Sequence, residues 1–233
     1  DYGFVEYDTA PNYGNGFSEF IIGKVFSNEN KIIINTKVGN GAFGEKSFDV
    51  ENIKISIEQS LYRLNRSSIN ILFLHNPRSE IKNYEKIFNL LDDYKSSKVI
   101  KDYGLSCAKG FNYKKYVDLN QFKFIQDDIN LLSLDKIINY KNYNYYARSP
   151  LASGLLSGKM NKATIFQNTD HRSDWLFGER LTSLVNRVNK LENLSDEKII
   201  DLASKFLLHS SKIFKVIFGI RNVPHLNRLN SLK

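Results

Sequence analysis

Four polar residues of this chain are suited to acid–base chemistry: Asp8, Tyr13, Lys37 and His75. Asp8, Lys37 and His75 each follow directly on a short apolar run that is typical of a β-strand, and Tyr13 lies in the turn after Asp8. In parallel α/β folds, active-site side chains lie at the carboxyl ends of the strands. We therefore expect the four side chains to meet at one rim.

Together, these side-chain types can protonate a carbonyl oxygen. An unassisted tyrosine hydroxyl keeps its proton at neutral pH, but an ammonium such as that of Lys37 stabilises the phenolate and eases the transfer. A buried lysine needs an anionic partner, which Asp8 supplies, and His75 can orient the substrate oxygen. Because no side chain supplies hydride, carbonyl reduction requires a nicotinamide cofactor. A second interpretation stays open, in which these are ordinary solvated residues at strand ends.

The elements that must position these residues alternate along the chain. Strands are predicted over residues 4–10, 31–38, 69–74, 103–107, 124–130, 144–149 and 215–220. Helices are predicted from caps at Ser18 and Asp49, over 84–94, over 181–194, and from a cap at Ser195 to residue 209. Continuous βα alternation predicts a parallel sheet with right-handed crossovers. An open doubly wound sheet and a (β/α)₈ barrel both fit, and candidates on many successive strands favour the barrel.

Composition limits the classes of function. The 233 residues, 42% of them hydrophobic, predict one α/β domain over residues 1–233, with a long rim loop at 161–178. No apolar run is long enough to cross a membrane and no signal peptide opens the chain. The one cysteine, Cys107, fits a reducing compartment, so a cytoplasmic location is expected. The net charge of +8 comes from scattered lysines without a nucleic-acid-binding signature, so no nucleic-acid or membrane partner is expected.

Three weaker signals are given structural interpretations. Residues 39–44 match G-x-G-x-x-G, but no helix opens inside the motif as a dinucleotide fingerprint requires, so a flexible rim loop is predicted. Cys107 lacks the surroundings of a catalytic cysteine and is predicted to be a buried thiol at a strand end. The four histidines are not spaced as metal ligands, so no metal site is predicted.

Several short segments resemble the aldo-keto reductase superfamily, in the order in which that family has them. The segments are YDTAPNYG at 7–14, TKVG at 36–39, SLYRL at 60–64, LHNP at 74–77, YGLS at 103–106, SPLASGLLSGK at 149–159 and GIRN at 219–222, with Gln126 and Asn130 between them. The resemblance covers almost the whole chain.

This resemblance implies a (β/α)₈ TIM barrel that binds NADPH across its carboxyl-terminal rim without a Rossmann fold; NADH stays possible. It assigns Tyr13 as the general acid, Asp8 and Lys37 as the residues that tune it, and His75 as the group that orients the carbonyl. It implies that Ser106 and Gln126 hydrogen-bond the nicotinamide carboxamide. The remaining implied cofactor residues are Pro150, Leu151, Gly154 and Leu156 along the pyrophosphate, and Gly219, Arg221 and Asn222 on the side of the adenosine 2′-phosphate.

The chain departs from the family pattern at three places. Cys107 stands where the family usually has asparagine, which removes one carboxamide contact. Arg148 stands where many members stack a tyrosine on the nicotinamide, and its planar guanidinium can stack instead. The family's first strand and helix, and its closing helix, are not found in residues 1–233. The expected fold is therefore a barrel that lacks its first strand and helix and its closing helix.

The predicted function is NADPH-dependent reduction of an aldehyde or ketone, a small-molecule carbonyl substrate, to an alcohol. Two alternatives stay open: an NADPH-binding regulatory or sensor subunit with little turnover, as in potassium-channel β-subunits, and an inactive truncated fragment with exposed sheet edges. Specificity is predicted to lie in the rim loops at residues 39–48, 108–113 and 161–178. The sequence does not predict the oligomeric state.

Overall fold

The structure is a computed structural model that describes residues 2–27, 29–77, 81, 84–107, 121–133 and 143–232. The chain divides into two compact units, Asp1–Asp127 and Asp128–Lys233, which are described separately below. The prediction of a single domain stays a prediction. Of the helices in the described ranges, none has the length and apolar character needed to cross a lipid bilayer.

The first unit alternates strands and helices. Its elements are β1 (Glu6–Asp8), α1 (Phe17–Phe26), β2 (Ile33–Val38), α2 (Val50–Leu64), β3 (Ile69–His75), α3 (Tyr84–Ser96), β4 (Ile100–Ser106) and β5 (Phe124–Asp128, of which the last residue belongs to the second unit). Each strand pairs in parallel with the next strand of the chain. The predicted parallel βα alternation is confirmed in this unit, and it brings the carboxyl ends of all five strands to one edge.

Apolar periodicity explains the helices and the central strand of this unit. In α2, Ile53, Ile57 and Leu64 recur on one face and are fully buried. In β3 nearly every residue is buried, as expected of a parallel strand covered on both faces. The helix predicted around residues 84–94 is confirmed as α3.

A buried asparagine fixes the register of the first three strands. The Asn35 side chain donates to Glu6 Oε1 over 2.8 Å, and its Oδ1 accepts from the backbone N–H of Ile71 over 3.1 Å. Because a slip of one residue would leave this buried amide unsatisfied, Asn35 holds β1, β2 and β3 at one alignment. That alignment sets where Asp8, Lys37 and His75 emerge.

A buried carboxylate joins β2 to the two helices that cover it. Glu19 of α1 is fully buried, accepts from Thr36 Oγ1 over 2.5 Å and forms an ion pair with Arg63 Nε of α2 at 2.7 Å. Gly23 lets α1 lie directly on α2, since a Cβ there would come within 2.5 Å of the backbone of Leu64. These contacts position Thr36, the residue that precedes Lys37.

Several predicted element ends are wrong, for local physical reasons. Helix α1 starts at Phe17 rather than from a Ser18 cap, because Gly16 turns the chain with φ +87° and the Ser18 hydroxyl accepts from Thr9 instead. Strand β4 begins at Ile100, three residues before its predicted start. The cap predicted at Asp49 is at the right position, but its carboxylate accepts from Ser47 Oγ rather than from the helix.

The motif at residues 39–44 is a loop, as predicted. Gly39 has φ +93°, where a Cβ would collide with the Phe48 ring, and Asn40 pairs with Lys46 in an isolated antiparallel bridge. The next helix, α2, begins only at Val50. No helix N-terminus is available within the motif to hold a pyrophosphate.

The second unit packs helices around its own apolar cluster. Its elements are β6 (Asn144–Arg148), 3₁₀ helices at Ala152–Ser157 and His171–Asp174, α4 (Gly178–Glu192), α5 (Ile199–Leu208), β7 (Lys215–Val216) and α6 (Val223–Asn230). Strands β6 and β7 pair in parallel. The predicted strand at 215–220 is shorter than expected, and the helix expected to begin at a Ser195 cap begins at Ile199, because the Ser195 hydroxyl accepts from Glu197 N instead.

The segment predicted as the long rim loop at 161–178 is partly folded onto this cluster. Leu176 is fully buried in this cluster, which also contains Leu181 and Val185 of α4, and Trp175 is partly buried against the cluster. Most of the segment is a loop with one short 3₁₀ helix at His171–Asp174, and only its apolar end packs onto the cluster. The loop predicted at 108–113 lies outside the described residues.

We predict that Glu19→Ala lowers the free energy of unfolding by about 3 kcal/mol, because it leaves the charge of Arg63 and the hydroxyl of Thr36 without their buried acceptor. Urea unfolding followed by circular dichroism measures this loss. The matched control is Glu197→Ala, which removes an exposed carboxylate paired with Lys205 and should leave the midpoint nearly unchanged. Equal effects of the two substitutions would refute the role given to Glu19.

Candidate active site

The centre of the site is a buried ion pair between neighbouring strands. Lys37, at the end of β2, is 1% exposed, and its Nζ lies 2.5 Å from Oδ1 of Asp8 at the end of β1. The same Nζ donates to the backbone carbonyl of Thr9 over 2.7 Å. A buried ammonium keeps its charge only when such partners replace water. The arrangement therefore holds a positive charge inside the protein.

Tyr13 and His75 lie against this ion pair. The Lys37 Nζ is 4.8 Å from the centroid of the Tyr13 ring, and the His75 ring meets the Tyr13 ring edge-on, with 6.1 Å between centroids. His75 is buried, whereas Tyr13 is 40% exposed. The four predicted residues thus come together, and Tyr13 is the member that a ligand in solution can reach most readily. Their catalytic roles stay predictions.

The strand register extends the site sideways. His75 and Ser106, the last residues of β3 and β4, are register partners, and Ser106 is in turn the register partner of Gln126 in the middle of β5. Ser106 and Gln126 are both fully buried. The Gln126 Nε2 donates over 2.5 Å to Asp8 Oδ2, the carboxylate oxygen that Lys37 does not use. The sequence signals for Gln126 did not reveal this contact.

Cys107 lies one residue beyond β4 and is buried, as predicted. Its backbone N–H donates to the carbonyl of Gln126 over 2.9 Å and so continues the β4–β5 pairing.

In the second unit, the predicted cofactor residue Arg148 has a carboxylate next to it. Arg148 Nε lies 3.2 Å from Oδ1 of Asp128, and the Ser149 hydroxyl donates to the same oxygen over 2.8 Å. Asn130 Nδ2 donates to the carbonyl of Ser149 over 3.1 Å. Asp128 was not predicted as a site residue, although it lies at the end of β5 as Asp8 lies at the end of β1.

The predicted pyrophosphate segment has an unusual backbone. Ser149, Ala152, Ser153 and Gly154 all have positive φ, of 53°, 47°, 57° and 94°. Pro150 and Leu156 are buried and Leu151 is half-buried, so side chains on the inner side anchor the segment. Backbones held in this region cluster at ligand-binding sites.

The predicted 2′-phosphate residues lie on the surface of the second unit. Asn222 caps α6 by accepting from His225 N over 3.0 Å, which leaves the positive end of that helix beside Arg221. Arg221 lines an open cleft of about 510 Å³ together with His171 and Arg172. Gly219, like Arg221, is exposed.

Arg172 is held in place by an acidic neighbour. It pairs with Asp170, whose pKa the Arg172 hydrogen bonds hold well below its usual range. Arg172 also donates to the carbonyl of Ser153 over 3.2 Å. The guanidinium therefore links Asp170 to the backbone of the 149–154 segment, and no sequence pattern predicted this contact.

The comparisons with known proteins identify the family. The sequence profile of the Aldo/keto reductase family matches residues 1–232. The chain belongs to the aldo/keto reductase family. Members of this family use nicotinamide cofactors, and the family supports an oxidoreductase activity for the chain.

Curated family members are distant in sequence. The chain is 26% identical to the aldo-keto reductase YhdN of Bacillus subtilis, over all of this chain and 75% of that protein. It is 24% identical to a probable voltage-gated potassium channel subunit beta of Arabidopsis thaliana, over 87% of this chain and 69% of that protein.

Solved aldo-keto reductase structures share the fold. The glycerol dehydrogenase AKR11B4 from Gluconobacter oxydans superposes with a TM-score of 0.80 at 24% identity, covering 100% of this chain and 76% of its own. The holo form of AKR11C1 from Bacillus halodurans gives a TM-score of 0.78 at 21% identity, covering 99% and 77%. These neighbours favour the barrel type of fold over the doubly wound sheet.

The residues present fit a nicotinamide cofactor. Among the described residues, the buried Oε1 of Gln126 has no hydrogen-bond partner, and a carboxamide N–H would supply one. At Gly154 a Cβ would lie 3.0 Å from Met160 Cε and 3.3 Å from Arg172 Nη1, so the glycine keeps this part of the segment open. Arg221 adds a positive charge of the kind that phosphates require.

We predict that Lys37→Met lowers the free energy of unfolding by about 3–5 kcal/mol, because it leaves the buried Asp8 carboxylate without its cationic partner. The double variant Asp8→Asn/Lys37→Met should regain most of this loss. Urea unfolding of the single and double variants measures the coupling.

The matched control is Lys95→Met, which removes a half-exposed lysine paired with Asp102 and should cost less than about 1 kcal/mol. A Lys37→Met variant as stable as the wild type would show that this ammonium is not held by a buried pair.

Proposed function

We propose that the chain is an NADPH-dependent reductase that converts an aldehyde or ketone into an alcohol, with Tyr13 as the proton donor. The observation that carries this proposal is the Lys37 ammonium, which is anchored to Asp8 and lies 4.8 Å from the Tyr13 ring. An ammonium beside the tyrosine ring stabilises the negative charge that develops on the tyrosine oxygen as its proton is transferred.

The four side chains divide the work of proton transfer. Tyr13 gives its hydroxyl proton to the carbonyl oxygen of the substrate, and Lys37 stabilises the phenolate that this leaves. Asp8 keeps Lys37 charged and in place, and the buried His75 donates a hydrogen bond that orients the carbonyl oxygen. The bound cofactor supplies the hydride.

Two groups of residues are proposed to bind the cofactor. In the first unit, Ser106 and Gln126 hold the carboxamide of the nicotinamide. In the second unit, Arg148 stacks on a planar ring, and the segment from Pro150 to Leu156 follows the pyrophosphate. Arg221 and Asn222 bind the 2′-phosphate and so favour NADPH over NADH.

A regulatory subunit is the second candidate, because one of the similar proteins is a probable potassium channel subunit beta. Such a subunit would bind NADPH with little turnover. Tight NADPH binding without turnover on a broad panel of aldehydes and ketones would favour this candidate over the reductase.

We predict that Tyr13→Phe lowers the rate of NADPH consumption with an aldehyde by about 10²–10⁴-fold, because the proton donor is lost. The dissociation constant for NADPH should stay unchanged. The rate is measured by absorbance of the reduced nicotinamide, and binding by titration calorimetry. The control is Tyr62→Phe, at a tyrosine that is 86% exposed on α2, which should leave both quantities unchanged. Equal turnover in wild type and Tyr13→Phe would overturn the assignment of the acid.

We predict that Arg221→Ala weakens NADPH binding by about 10-fold or more and NADH binding much less, because a charge-assisted contact to the 2′-phosphate is lost. Calorimetry with both cofactors measures the ratio. Arg228→Ala is the matched control. It also removes one positive charge, from an arginine on α6 that pairs with Asp201, and it should leave the ratio of the NADPH and NADH affinities unchanged. Equal losses for the two cofactors on Arg221→Ala would exclude this role.

A further inference from the structure

The amide of Gln126 has two ends with different neighbours. The Gln126 side chain is fully buried in the middle of β5, and its Nε2 lies 2.5 Å from Asp8 Oδ2. The other Asp8 oxygen, Oδ1, accepts from Lys37. One carboxylate therefore receives two donors, the ammonium on one oxygen and the amide on the other.

The chemistry of the contact fixes the direction in which the amide points. An ionised carboxylate only accepts hydrogen bonds, so Gln126 must present its nitrogen to Asp8. Its Oε1 then faces the other way, and among the described residues this buried oxygen has no hydrogen-bond partner. An unpaired buried carbonyl is unfavourable, and a donor from a ligand would relieve it. Because the amide is planar and rigid, Oε1 cannot move without moving Nε2 as well.

We propose that Gln126 is a positioning residue that couples occupancy of the carboxamide site to the Asp8–Lys37 ion pair. The inference rests on the proposed function, because the ligand of the carboxamide site is taken to be the nicotinamide cofactor of that function. A carboxamide N–H bound to Oε1 polarises the amide and strengthens its donation to Asp8. It also fixes the Gln126 rotamer, and with it the carboxylate that holds the Lys37 charge beside Tyr13. By reciprocity, an intact ion pair increases the affinity for the cofactor.

Two substitutions separate the two ends of the amide. Gln126→Met has similar length but neither donor nor acceptor. Gln126→Glu keeps an acceptor oxygen and replaces the NH₂ donor with a group that donates only when it is protonated. The charged and titratable groups of the site around Gln126 are Asp8, Lys37, Tyr13 and His75, with the buried thiol of Cys107 on the adjoining end of β4. Both variants retain all five.

The first experiment uses the protein without substrate. Proton–nitrogen NMR of glutamine side chains gives an amide signal for Gln126, which is identified by its absence from Gln126→Met. We expect Asp8→Asn to move this signal upfield, because the charged acceptor is lost, and saturating NADPH to move it further downfield in the wild type. The signal of the exposed Gln59 on α2 should stay unchanged as an internal control. A Gln126 signal that ignores either Asp8→Asn or NADPH overturns the proposal.

The second experiment separates kcat from KM at saturating NADPH. We expect Gln126→Met to lower kcat by about 10-fold or more. For Gln126→Glu, the ratio of its kcat to that of the wild type should rise as pH falls, since the protonated carboxyl can again donate to Asp8. If both variants keep the wild-type kcat at every pH and only raise the KM for NADPH, Gln126 is a cofactor ligand alone and the coupling is refuted.

The two experiments distinguish the failure of this inference from failure of the proposed function. If the amide responds to NADPH and to Asp8→Asn while no carbonyl is reduced, the coupling stands and the reductase is rejected. If carbonyls are reduced while the amide ignores NADPH, the reductase stands and the coupling is rejected. If NADPH does not bind, both are rejected.

Discussion

The structure of the first unit depends on keeping the Lys37 ammonium charged in a place without water. Burial of a lone ammonium is costly unless other partners replace the water that it loses. Three acceptor or donor contacts meet this requirement: Asp8 and the Thr9 carbonyl bind Lys37, and Gln126 binds the far side of Asp8. Since these residues come from β1, the turn after it, β2 and β5, the charge can be held only when the strands are correctly arranged.

A second polar network supports β2 from its opposite face. Successive side chains of a strand point to opposite faces, so Thr36 faces the helices while Lys37 faces the site. Glu19 binds Thr36 and Arg63 on the helix side, and Asn35 fixes the register with the strands on either side. A lysine that must remain within hydrogen-bonding distance of Asp8 is thus attached to a backbone that cannot slide or tilt easily.

The sequence predicts what depends on local pattern and fails where a distant contact decides. The strand before His75 and the stripe of α2 follow from apolar periodicity and were correctly predicted. The cap at Ser18 was wrong, because its hydroxyl accepts from Thr9 on the other side of the turn. The contact between Asp8 and Gln126 joins residues separated by 118 positions, and spacing carries no information about such a pair. The family motifs identified Gln126 only as a cofactor residue.

The backbone from Ser149 to Gly154 carries a thermodynamic consequence for ligand binding. Three of its left-handed residues, Ser149, Ala152 and Ser153, are not glycine, and each costs roughly 1–2 kcal/mol in that conformation. Glycine would relieve the strain but would give the unfolded chain more freedom to lose. The segment is therefore strained in the native state, but it is also stiffer than a glycine-rich segment would be. A ligand that meets a stiff backbone loses less free energy to ordering it, so a ligand of this segment would find the cost of ordering already met on folding.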